Sequence, residues 1–139
     1  MNFPGLVRRI VYPRTSTPDE AWEAAGNSWL AGTILALNRL LFGTVWLSST
    51  QPVGPGLAQL GIGFVYILMA LLAYRRSRIA STVILVLAVL EVLIEVLFEM
   101  MLKGDYRFSF GIAAVALVLA IGGFRGANAL FAHYRNSQP

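Results

Sequence analysis

Cysteine is absent from this sequence. That removes disulfides, thiolate metal sites, iron–sulfur clusters and catalytic thiols together. Histidine occurs once, at His133, so no pair of histidines is available as axial ligands. Charge is scarce: 13% of the 139 residues are Asp, Glu, Lys or Arg, about half the roughly one quarter found in soluble domains. A chain so poor in charge cannot cover a soluble surface. No basic run with interleaved aromatics exists, so nucleic-acid binding has no footprint. No phosphate-cradling loop exists either: Gly61-Ile62-Gly63 lacks a third glycine and a following lysine. Gly-x-Ser-x-Gly and His-Glu-x-x-His are also missing. The opening stretch MNFPGLVRRIVYPR has no apolar core and no small-residue cleavage site, and does not read as a cleavable signal peptide.

What is present is apolar. Hydrophobic residues make up 57% of the chain and the mean hydropathy is +0.66. A membrane helix needs about 20 apolar residues, so four spans use about 80. The remainder is too short and too scattered for a separate soluble catalytic domain. A soluble enzyme, a disordered protein and a large single-chain transporter are excluded. The expected fold is an all-α integral membrane protein with four transmembrane helices.

The domain plan has three parts: an N-terminal interfacial segment over 1–16, one four-helix membrane domain over 17–135, and a tail over 136–139. In the first part, Phe3, Leu6, Val7, Ile10 and Val11 recur at helical spacing around Arg8 and Arg9. This fits either a short amphipathic helix on an anionic leaflet or an irregular tail bounded by Pro4 and Pro13. Thr17-Pro18-Asp19-Glu20 reads as a capping box with proline at the first helical position. A helix should therefore start near Pro18, with its polar first turns extended into the interface. Spans are expected at about 26–48, 57–74, 79–102 and 108–124, the last with room to continue to 134. Trp29 and Trp46 sit where aromatic-belt anchors belong.

Lysine and arginine placement sets the expected topology. With both termini inside, Arg8, Arg9, Arg14, Arg75, Arg76, Arg78, Arg125 and Arg135 share one side, against Lys103 and Arg107 on the other. The expected topology is N-in, C-in, in the cytoplasmic (inner) membrane of a bacterium. Arg75, Arg76, Arg78 and Arg125 either set this topology or bind lipid headgroups. Gly32, Ala36 and Gly43 on the first span, and Ala116, Ala120, Gly123 and Ala127 on the last, form small-residue faces; Gly122 and Gly126 make one GxxxG. Such faces let helices approach closely, within the chain, in self-association, or against a partner subunit.

Glu91, Glu95 and Glu99 lie on one stripe of the third span at intervals of four. Arg39 lies ten residues beyond Trp29, about 15 Å deep, level with Glu91 or Glu95. Asn38 is its sequence neighbour, turned about 100° around the helix. A charged side chain at mid-span costs about 2.5–3.5 kcal/mol on insertion scales, so these residues should face the bundle. An Arg39–Glu91 or Arg39–Glu95 pair is expected, the other glutamate being protonated, hydrated or paired elsewhere. Glu99 belongs near the outer interface.

Two functions fit. One is a non-enzymatic accessory or assembly subunit of a membrane complex, without catalytic residues, cofactor or metal. The alternative is a small proton- or cation-coupled transporter or channel, homo-oligomeric, using Glu91, Glu95 and Glu99 with Arg39.

Overall fold

The computed structural model describes residues 2–102 and 107–138, without the side chains of 98–109. Among the described residues the chain is all helix: α1 (Phe3–Val11), α2 (Pro18–Leu47), α3 (Val53–Tyr74), α4 (Arg78–Leu102) and α5 (Arg107–Ser137). The last four are long and apolar enough to cross a membrane. The N-terminal segment is helical and amphipathic. Pro4 stands in its first turn, where no backbone donor is needed. Pro13 disfavours helical geometry at Tyr12, and the helix ends there.

The Thr17 box forms as its sequence implies. The Glu20 backbone N–H donates to Thr17 Oγ1 at 3.2 Å, and the Glu20 carboxylate accepts from the backbone N–H groups of Ser16 and Thr17. This turn lies ahead of the span expected from about residue 26. The Ser16 hydroxyl, followed by these two N–H groups, holds the Glu20 carboxyl below its ordinary range. α3 begins at Val53, four residues earlier than the sequence suggested. Pro55 falls in the first turn of α3, where backbone N–H groups have no intrahelical acceptor, so it costs no hydrogen bond. α5 runs on to Ser137.

Notches and knobs set the packing. A Cβ added at Gly43, Gly56 or Gly63 would meet Leu60, Leu47 or Leu40 respectively at 2.8 Å. These pairs step along α2 and α3 in antiparallel register. Gly32 sits between Ala70 of α3 and Ile84 of α4. The approach of α5 to α2 is closer still. A Cβ at Gly123 would run into the Ser28 backbone, and one at Gly126 into the backbone of Ala24 and Ala25. Gly122 does the same for α1, lying against the Ile10 carbonyl. The small-residue stripe of α5 is thus turned inward: Ala116, Ala120 and Ala127 are all buried.

The short connection from α3 to α4 terminates one helix and starts the next. Arg76 adopts φ 63°, a left-handed conformation that residues other than glycine rarely take. Arg76 N–H donates to Ala73 O at 2.9 Å and Ser77 N–H to Leu72 O at 3.2 Å, a Schellman closure. Ser77 Oγ then accepts from Ala80 N–H at 3.3 Å as the cap of α4.

Candidate functional site

The deepest charges meet. Arg39 on α2 and Glu91 on α4 form a two-pronged ion pair: Arg39 Nε donates to Glu91 Oε1 at 2.9 Å, and Arg39 Nη2 donates to Glu91 Oε2. Two neutral groups from α3 complete the cluster. Arg39 Nη1 donates to Gln59 Oε1 at 2.7 Å, and the Tyr66 hydroxyl donates to Glu91 Oε1. Glu91 is 3% exposed and Tyr66 5%, so this is a polar knot inside an apolar bundle. The guanidinium plane presents a fork that matches a carboxylate, a geometry a lysine could not supply.

Each helix contributes by register. Gln59 and Tyr66 are seven residues apart on α3, two turns along one face. Glu91 stands one turn beyond Ala88, and Ile84 a further turn back; both are buried in the core, so the same stripe of α4 that packs the bundle carries the carboxylate into it. Arg39 follows Leu35 and Ala36 of the core cluster on α2 in the same way. Removing the tyrosine hydroxyl isolates one strand of the knot. Tyr66→Phe is expected to cost about 1.5–3 kcal/mol, the value of a hydrogen bond to a charged group, read as a loss of unfolding free energy in mixed micelles with the helical spectrum unchanged.

The other residues of the expected polar set stand apart. Asn38 is buried but, among the described residues, makes no hydrogen bond to the knot. Glu95 is half-buried one turn beyond Glu91 and is engaged in an interaction of its own. The side chain of Glu99 lies outside the described residues. The sequence reading missed Gln59 and Tyr66, because neutral residues carry no insertion cost large enough to mark them. Their seven-residue spacing was the available signal.

The chain matches no family model, no curated protein and no solved structure. Its chemistry therefore has to be argued from its own residues.

The arginines gather at the end of the bundle where α2 begins and α5 finishes, each on a different partner. Arg76 lies over the Trp22 ring at 4.8 Å, Arg78 over Phe131 at 4.9 Å and Arg125 over Tyr12 at 4.2 Å. Burial pulls Arg76 below its ordinary pKa, yet Arg75 is exposed. The four expected basic residues thus share an end but not a pocket. His133 Nε2 donates to Thr15 O at 2.9 Å and ties α5 to the segment preceding α2. Chemically, the knot neutralises and immobilises charge: three donors already occupy the Glu91 carboxylate.

Proposed function

We propose that this chain is a non-enzymatic membrane subunit that works by assembling with another membrane protein. Both termini lie on the cytoplasmic side of a bacterial inner membrane. The observation that carries this reading is the Arg39–Gln59–Tyr66–Glu91 knot. The deep charges are taken up in joining α2, α3 and α4, so they act as a lock on the bundle. Orientation rests on the arginine-rich end facing the cytoplasm. Outer flanks of α3 and α4 offer the assembly surface: Phe64, Leu68 and Leu71 on α3 and Leu93 and Leu97 on α4 are all more than half exposed. The small-residue face of α5 is occupied by α2, so association uses these larger side chains instead.

A proton or cation path along Glu91, Glu95 and Glu99 stands second. The shared stripe of the three carboxylates favours it, but a carboxylate held by three donors is poorly placed to cycle a proton. Mild solubilisation of native membranes, followed by the mass of the particle carrying this chain, separates the two. A stoichiometric heterologous partner is expected. A pure homo-oligomer whose ion flux disappears in Glu91→Gln and Glu95→Gln variants would overturn the subunit reading in favour of transport.

A further inference from the structure

A cavity of about 590 Å³ opens at the arginine-rich end of the bundle, between α1 and the first turns of α2. Cations and anions line it on opposite sides. Arg9 and Arg14 come from α1 and the segment after it; Glu20 and Glu23 come from α2. Glu20, Glu23 and Asn27 follow one another at helical spacing and make a single polar stripe on α2. Ile10 supplies part of the apolar wall. Among the described residues, neither arginine comes within ion-pairing distance of either glutamate. Arg14 acts on Glu20 only through space. One oxygen of Glu20 is anchored by Ser16 and Thr17, which holds the carboxylate in place at the cavity wall.

Depth and charge together select the ligand. The cavity ends at Asn27, two residues before Trp29, whose edge-to-face partner is Tyr74 at 5.8 Å. Paired aromatics of this kind sit at headgroup level. Exposed Phe3 and Leu6 on α1 suit a helix lying in the same layer. An anionic headgroup would leave the two carboxylates unmatched. A headgroup carrying phosphate and a primary ammonium would match both walls: guanidinium to phosphate, carboxylate to ammonium.

We propose that the cavity between α1 and α2 binds the phosphoethanolamine headgroup of a membrane lipid, with Arg9 and Arg14 on the phosphate and Glu20 and Glu23 on the ammonium. The assignment requires that the bundle sit in a membrane, and it is independent of the assembly reading above. Phosphatidylcholine has the same phosphate and the same net charge, but its quaternary ammonium has no N–H to donate. Phosphatidylglycerol has the phosphate and no cation. The three lipids therefore read the two walls separately.

The test uses the full chain in mixed micelles, following the unfolding midpoint as each lipid is titrated in. Phosphatidylethanolamine is expected to half-saturate the rise in midpoint at a mole fraction about tenfold below either of the others, the equivalent of one charge-assisted hydrogen bond. Glu23→Gln should lose that preference, and the Arg9→Gln, Arg14→Gln double variant should need about tenfold more of each of the three lipids, both keeping the lipid-free midpoint since all three side chains are exposed. Equal responses to the three lipids in the wild-type chain, or a preference for phosphatidylglycerol, would overturn the proposal without any variant. So would a preference that survives Glu23→Gln, or half-saturation by all three lipids that is unchanged in the double arginine variant. Saturation by soluble O-phosphoethanolamine at the same concentrations would give the site to a soluble phosphorylated amine and overturn the lipid assignment.

Discussion

Replacing Arg39 by leucine is expected to remove about 3–5 kcal/mol of stability, the usual cost of breaking a buried ion pair from one side. The substitution leaves Glu91, 3% exposed, with only the Tyr66 hydroxyl, and leaves Gln59 without its donor. Two magnitudes bear on that figure. The Gln59 contact is a hydrogen bond to a charged group, worth about 1.5–3 kcal/mol. A charge stranded at mid-span costs about 2.5–3.5 kcal/mol, the larger of the two. The Arg39→Leu, Glu91→Leu double variant should recover much of the loss, because apolar replacements of a buried pair are often neutral. Reversible unfolding in mixed micelles, with the single and double variants on one cycle, measures both quantities. A double variant as unstable as Arg39→Leu alone would mean that the pair does not lock the helices.

Gly126→Leu should be comparably severe, for a reason that has nothing to do with charge. The added side chain would be driven into the backbone of Ala24 and Ala25, which cannot rotate away as a leucine side chain can. Overpacking of a core costs typically 1–3 kcal/mol, occasionally more, and a backbone obstacle puts this site at or beyond about 3 kcal/mol. Gly123, against the Ser28 backbone, should behave alike. Gly61 supplies the contrast: nothing stands within 4 Å of a Cβ there. Gly61→Ala should stay within about 1 kcal/mol of the parent, helped by the helix preference of alanine. Crosslinking of α2 to α5 through introduced cysteines would report the separation directly. Undiminished crosslinking and stability in Gly126→Leu would show that the two helices do not meet at this seam.

Much of the architecture is legible in the sequence, because the signals there are physical and local. Four apolar runs separated by Pro-Gly and Arg-rich breaks mark the long helices, and Thr17 with Glu20 marks the start of α2. Depth counting from Trp29 brings Arg39 level with Glu91 or Glu95, and packing then selects Glu91. Two things resist that reading. Gln59 and Tyr66 join the knot only because α3 leans on α2 in one particular register, and that register is set by leucines seated on Gly43, Gly56 and Gly63 rather than by the polar residues themselves. The small residues of α5 are ambiguous for a similar reason. Periodicity identifies a face suited to close approach, but the choice between α2 and a second chain is decided by tertiary packing. α3 extends ahead of the apolar run that begins at Leu57, because Pro55, which looks like a helix breaker, falls in the first turn.

The glycine seam joins residues near position 28 to residues near position 123. During synthesis, α2 enters the bilayer long before α5 has been made. Its Ala24–Ser28 face has no α5 to cover it until the last helix is made. Arg39 and Glu91 both precede α5 in the chain, so both members of the ion pair are made before the helix that covers that face. Charge joins helices that are made early, and steric fit joins the first long helix to the last.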